Sequence, residues 1–409
     1  MMKKQLLLLV MMLLPMVASA DDSGSCGENL VYSYDESTRT LAIKGTGAMS
    51  DFGRPHIQPW YSYMRNILNI VIEDGVTSIG SSAFDGSAIT SVTIPNNVTS
   101  IGTQAFANTK LTSINIPISV RNIGVQAFCN CINLSVITLP NNIAELGYRA
   151  FHNTKWWNSQ PNGLVYLGNY AYAFKGTNPT NTIYDIKDGT VGLAAHLFYN
   201  IDALESITLP SSLKYVGKET FHGCSKLKSI NIPNGAEYIG MDAFYGCSGL
   251  SSLCLPNSVN TIGEEAFRGC ANIASINIPN SLTELRKSLF YGCKSLTSIT
   301  IPEGVISIGE SVFKGCTELV SIYIPEGVTS IGSAAFAHCT KLVSINLPES
   351  LQTIGSHVFL DCSSIQSIII PNGISTIHVG TFAGCSFLQN VSIPNSVNFI
   401  DGEAFNHCI

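Results

Sequence analysis

Charge is scarce in this chain. Lys and Arg number 22 and Asp and Glu 28 among 409 residues, 12% in all, with a formal net charge of -6 and no run of one sign. A nucleic-acid ligand is therefore not expected, because phosphate binding needs clustered cations. Long hydrophobic runs are missing after the first twenty residues, so no stretch of about 20 apolar residues is available to cross a bilayer in the mature chain. There is no His-Glu-x-x-His pair, no Gly-x-Ser-x-Gly elbow and no phosphate-binding glycine loop, which removes the usual sequence marks of zinc, serine-nucleophile and nucleotide chemistry. His152, His222, His338 and His407 follow a recurrent phenylalanine by one or two residues and read as corner residues. Glu303, Glu326 and Glu349 follow a proline, in the place of a solvated turn, and no carboxylate pair stands out as catalytic. The chain is read as non-enzymatic, without cofactor or metal.

The first residues carry a different message. Met1-Met2-Lys3-Lys4, the apolar run Gln5 to Val17 and the small residues Ala18-Ser19-Ala20 have the three-part form of a cleaved secretory signal, with the mature chain starting near Asp21. A lipid anchor on Cys26 is the weaker alternative, since Ser23-Gly24-Ser25 offers no aliphatic residue three before the cysteine. A secreted, periplasmic or cell-surface protein follows from this reading.

What is abundant is repetition. Phenylalanines fall at 84, 106, 128, 151, 198, 221, 244, 267, 290, 313, 336, 359, 382 and 405, and the last ten are spaced by 23 residues each time. Such a period predicts a solenoid. In the unit beginning Leu296, Ile299 and Ile301 alternate with Ser298 and Thr300, as a short strand with one buried face requires. Pro302 lacks an N–H and ends the strand, Glu303-Gly304 turns the chain, Val305 to Ile308 makes a second extended side, and Gly309 opens the next corner. Phe313 fills the interior before Cys316 leads onward. The expected fold is a mainly β repeat solenoid of about 14 coils with parallel strands, stabilised by stacking because each unit contacts chiefly its neighbours.

Two segments break the beat. Leu30 to Tyr34 and Thr40 to Ile43 read as a hairpin across Asp35-Glu36-Ser37, which makes residues 21–70 an N-terminal β cap. Between Phe151 and Phe198 the interval is 47 residues. Residues 152–185 form an insert rich in Trp156, Trp157, Tyr166, Tyr170, Tyr172 and Phe174, whose Leu164 to Leu167 and Tyr170 to Phe174 would pair as a second hairpin packed on the stack. Repeats occupy 71–151 and 186–409.

Thirteen cysteines in a secreted chain invite a disulfide framework. Ten of them, from Cys131 to Cys408, lie three residues after the slot phenylalanine, however, and so share one inward corner. A column of buried free thiols is expected, because in-register side chains one rung apart point poorly for bonding.

The unit Leu-x-Ser-Ile-x-Ile-Pro, then Val-x-Ser-Ile-Gly, then Ala-Phe-x-x-Cys resembles the BspA-like subclass of bacterial leucine-rich-repeat proteins over residues 70 to 409. Cys26-Gly27-Glu28-Asn29, Gly45-Thr46-Gly47-Ala48-Met49 and Pro59-Trp60-Tyr61 are similar to that family's N-terminal module, and Gly163-Leu164-Val165-Tyr166 to an insert that recurs among relatives. The resemblance implies a secreted or surface-displayed protein of the Bacteroides group, and adhesion to host or neighbouring-cell proteins such as extracellular matrix.

Candidate contacts follow from the exposed strand positions. These carry mostly Ser, Thr and Asn, as in Ser229 with Asn231, Ser275 with Asn277 and Ser344 with Asn346. Tyr323 and Ile369 interrupt that polar background, with Val320 and Val343 nearby, and an apolar interruption marks a partner site. Trp156 and Trp157 are the second candidate, as binding anchors or as a local core. Protein binding is the first functional expectation. A glycan-binding surface and an architectural envelope role are the alternatives, and end-to-end self-association through the uncovered last strand is a further expectation.

Overall fold

The computed structural model describes residues 22–53, 57–176 and 180–408; the secretory signal read from residues 1–20 lies outside them. From residue 69 onward the chain winds into about 14 coils of roughly 23 residues, almost without helix. Each coil has three sides. The first carries the Ser-Ile strand, stacked in parallel as in Ser321↔Ser344 and Ile322↔Ile345. The second carries the strand before the corner glycine, as in Ser330↔Thr353 and Ile331↔Ile354. One residue of each alternation points inward, and these isoleucines, leucines and valines are buried.

The third side holds the phenylalanines. Phe198 through Phe405 stack ring on ring with centroids 5.2–5.8 Å apart. Its backbone closes onto the next coil by every second amide: Glu219 N donates to Met241 O, Phe221 N to Ala243 O and Gly223 N to Tyr245 O. The amides between them fold back as turns, Thr220 N to Gly217 O and His222 N to Glu219 O. That zigzag puts two residues per coil at positive φ, here Glu219 (55°) and Gly223 (72°).

No disulfide joins the thiols among the described residues. Each slot cysteine instead turns its Sγ–H to the carbonyl of the slot phenylalanine one coil back, Cys247 to Phe221 O at 3.0 Å and Cys362 to Phe336 O at 3.0 Å. Burial pushes the Cys224 and Cys293 thiols up to about 12, so they stay protonated donors.

The N-terminal cap is larger than a hairpin. Leu30–Asp35 and Thr40–Gly45 pair antiparallel as expected, but Asp22–Ser25 adds an outer antiparallel strand and Asn69–Ile72 joins in parallel on the other side. Trp60 is fully buried beneath this sheet. It starts the aromatic column by stacking on Phe84 at 5.9 Å and donates its indole N–H to Ala83 O at 2.9 Å.

The insert also does more than pack on the stack. A short helix, Lys155–Ser159, is capped by Thr154 Oγ1 accepting from Trp157 N. Gly163–Leu167 and Tyr170–Lys175 then form the expected hairpin. Tyr170 and Ala171 pair in parallel with Gly192 and Leu193, so the hairpin is built into the second side as a rung. Tyr170 Oη accepts from Ile143 N at 2.8 Å and Tyr172 Oη from Phe151 N at 2.7 Å. The phenylalanine column breaks here: Tyr172 lies tilted against Phe151 and Phe174 meets Phe198 edge-on.

Candidate functional site

The first side exposes a row of polar residues, and the structure shows which of their groups are engaged. Ser229, Ser275 and Ser344 are exposed. Asn277 is not free, because its Oδ1 accepts from Leu255 N and its Nδ2 donates to Leu255 O, both at 2.7 Å. Asn346 makes the same double bond to Ile324, both at 2.8 Å. These amides replace a ladder rung where the strands have ended, so two of the polar groups noted for ligand bonding are spent on the coil itself.

The four apolar side chains singled out on this face are all outward. Tyr323 is 58% exposed, Ile369 69%, Val320 48% and Val343 44%. Val343 N donates to Val320 O at 2.9 Å, which puts the two valines on neighbouring rungs. Tyr323 and Ile369 occupy the same outward slot two coils apart, with Asn346 between them. Next to this patch a shallow groove of about 780 Å³ runs across the preceding coils, lined by Ser252, Cys254, Asn277, Thr300 and Pro302. Cys254 is the exposed cysteine in this wall. Sequence reasoning passed over it, although its place outside the three-after-phenylalanine slot and between inward Leu253 and Leu255 was a usable signal.

Trp156 is half-buried and Trp157 only 5% exposed. Both meet Tyr172, at 5.6 and 5.7 Å between ring centroids, so the insert aromatics form a local core. Trp157 still lines one wall of a cleft of about 440 Å³ between the insert and the next coil, together with Tyr148, Arg149, Lys175, His196 and Tyr199.

From the wall of that cleft runs a ribbon absent from the sequence reading. Tyr148 stacks on His196 at 4.6 Å, His196 on Tyr199 at 4.7 Å, Tyr199 on His222 at 4.7 Å and His222 on Tyr245 at 4.5 Å. Arg268 continues it, between the rings of Tyr245 and Tyr291. From Tyr199 onward the corner position after each phenylalanine generates the ribbon, because identical slots on successive coils lie one rung apart, while Tyr148 and His196 join it from places three and two before their phenylalanines. Its ring faces cover one another, which leaves edges rather than faces for a ligand. Beside it Glu219 pairs with His196 at 3.0 Å. Burial and the neighbouring Glu265 and Glu219 push the Asp242 carboxyl up to about 6, while burial holds His196 and His222 below the ordinary histidine range.

Among the described residues no group of three or more His, Cys, Asp or Glu is placed to hold a metal ion. No helix among them is long and apolar enough to cross a membrane.

The family profile described as the BspA type leucine rich repeat region matches in six copies, over residues 58–178, 169–297 and 283–409. This chain belongs to the BspA-type leucine-rich repeat family. Solved structures similar to it include a leucine-rich repeat protein from Bacteroides ovatus, 23% identical, covering 90% of this chain and 99% of that one with a TM-score of 0.45. The T. pallidum leucine rich repeat protein is 30% identical over 42% of this chain and 70% of its own, TM-score 0.32. A leucine rich cell surface protein from Faecalibacterium prausnitzii is 19% identical over 91% and 94%, TM-score 0.38. No curated protein matches the chain. In this BspA-type chain the repeated residues are the buried ones, so membership fixes the coil and points to a protein-interaction role, while any specificity resides in the variable outward positions.

Proposed function

We propose that this BspA-type protein is exported to the cell surface or beyond it and binds another protein through the first side, centred on Val320, Tyr323, Val343 and Ile369. The observation that carries this is a cluster of outward apolar side chains on the coils from Val320 to Ile369, where the neighbouring outward positions are mostly Ser, Thr and Asn; Val136 and Ile183 are exposed on the same side further back along the stack. Large apolar groups held on a rigid sheet lose little conformational freedom on docking, and Tyr is among the residues that dominate interface energies. The adjoining groove lengthens the contact. Adhesion to a host extracellular-matrix or neighbouring-cell protein is the use we infer for it, in keeping with the secretory form of the first twenty residues.

The glycan alternative has less to rest on, because Asn277 and Asn346 are engaged internally and the stacked ribbon hides its ring faces. The test is a binding screen of residues 21–409 against arrays of matrix proteins and of host and bacterial glycans. Saturable binding to a matrix protein, weakened about tenfold or more by Tyr323→Ala with Ile369→Ser, is the expected result. Glycan-only binding, or affinity unchanged in the double variant, overturns the assignment to this patch; silence on both arrays favours an architectural role.

A further inference from the structure

The third side of the solenoid closes coil on coil by a fixed set of amides, and at the insert that closure fails on both walls. Arg149, Phe151 and Asn153 hold the donor places that Glu219, Phe221 and Gly223 hold elsewhere. Phe151 N is taken by Tyr172 Oη, and the amides of Arg149 and Asn153 donate to nothing among the described residues. Across the gap Ala195 O, Leu197 O and Tyr199 O stand where Met241 O, Ala243 O and Tyr245 O accept in a regular coil, and they accept from nothing among the described residues. The first coil shows that the fold closes such positions when it caps them: Phe52 N takes Ser81 O at 2.8 Å and Trp60 Nε1 takes Ala83 O at 2.9 Å. The insert, by contrast, leaves its row open.

The 440 Å³ cleft lies at this opening, lined by Arg149, Ala195, Leu197 and Tyr199, and its size falls in the roughly 300–1,000 Å³ range of ligand pockets. Alternating main-chain groups left open along an edge are completed by an extended peptide, as when a strand is added to a sheet. Charge narrows the choice. No Asp or Glu lines the cleft. The Lys175 ammonium is already held by Trp157 O, Asn158 O and Gln160 O at the end of the short helix. The Arg149 guanidinium is exposed, lies over the Tyr148 ring at 4.9 Å and has no carboxylate partner among the described residues. Its planar fork suits a carboxylate.

We propose that the cleft between the insert and the coil of Phe198 captures an extended peptide segment carrying a carboxylate, the peptide main chain supplying the missing rung and Arg149 pairing with the acid. This site is separate from the patch around Tyr323 and takes a different ligand chemistry.

The probe is a mixture of tetrapeptides ending in Asp or Glu with free termini, titrated into the full chain while tryptophan fluorescence is followed. Three parallel titrations use the same peptides with every carboxylate converted to amide, the same peptides N-methylated at their central amides, and trigalacturonate. Saturable binding of the acidic peptides is expected. It should weaken about tenfold on removing the carboxylates, on N-methylation, and in Arg149→Gln, whose exposed side chain leaves the fold intact by circular dichroism. Tyr323→Ala should leave it unchanged. No saturable peptide binding, or binding indifferent to N-methylation, sinks the proposal, and trigalacturonate binding alone assigns the cleft to acidic sugars instead.

Discussion

At the scale of single residues, the repeat turns side-chain chemistry into columns, and a column of like charges is a cost. Glu219, Asp242 and Glu265 occupy the same slot on successive coils, all at positive φ. The Asp242 carboxyl is consequently raised from 3.8 to about 6, by burial first and then by Glu265 and Glu219. A raised carboxyl favours the folded state while it is protonated, and that contribution is lost as pH climbs through about 6. Asp242→Asn should therefore raise the melting temperature at pH 7.5, with the gain shrinking as pH falls toward 4. Melts of both proteins at the two pH values check this; an equal gain at each would show that charge is not the cause. The thiol column teaches the complementary lesson about legibility. Its existence was readable, because ten cysteines keep one distance from the slot phenylalanine. Its acceptor, the phenylalanine carbonyl one coil back, was not, since nothing in the spacing says which backbone group faces the sulfur.

At the scale of the element, the corner glycines separate packing from local conformation. Gly263 has a negative φ that any residue adopts, yet a Cβ there would stand 2.2 Å from Met241 N and 2.6 Å from Gly240 C, in the backbone of the coil below. Gly402, one place past the corner on the last described coil, where Asp401 holds the corner itself, has nothing within 4 Å of such an atom. Gly263→Ala should cost about 1–3 kcal/mol and Gly402→Ala close to nothing, measured by denaturant melts; comparable losses from both would place the requirement in chain flexibility instead of coil contact. The strands and the corner were legible because alternation and a fixed glycine mark them. The third side was not, because its left-handed positions are filled by Glu219, Asp242 and Ser288 as well as glycine, so the usual glycine signal is diluted. Asp22–Ser25 was missed for a related reason: Asp-Ser-Gly-Ser has no strand propensity and is held only by pairing with Leu30–Asp35. The insert hairpin was found from its aromatic alternation, but that it replaces a rung depends on contacts with Gly192 and Leu193, about twenty residues on. The surface patch was visible only as residues that broke a pattern, whereas the ribbon and the open row of amides arise from stacking and have no mark within a single unit.

At the scale of the molecule, the insert decides whether the solenoid melts as one body. Two buried clusters, one from Cys26 to the insert and one from the insert to Ala404, meet there, and the phenylalanine stack that couples every other pair of coils is interrupted. The links across the junction include Tyr170 Oη with Ile143 N and Pro140 O, Tyr172 Oη with Phe151 N, Asn169 Nδ2 with Asn141 Oδ1, Ala195 N with Leu146 O, the Glu145 carboxylate with Lys218 N and Tyr238 Oη, and the Tyr148–His196 ring stack. Stability in such an array is a sum of coil and interface terms, so weakening one interface uncouples the halves on either side of it. Tyr170→Phe with Tyr172→Phe keeps both rings and leaves two buried amides without acceptors, at about 1–3 kcal/mol each. Trp60, Trp156 and Trp157 all lie in the first half and the insert, so tryptophan fluorescence follows that half while circular dichroism follows the whole chain. In urea the two signals should coincide for the unmodified protein and separate in the double variant, fluorescence changing at lower denaturant. Coincident curves with an unchanged midpoint in the variant would mean that the remaining links, Ala195 and Glu145 among them, carry the coupling without the tyrosine hydroxyls.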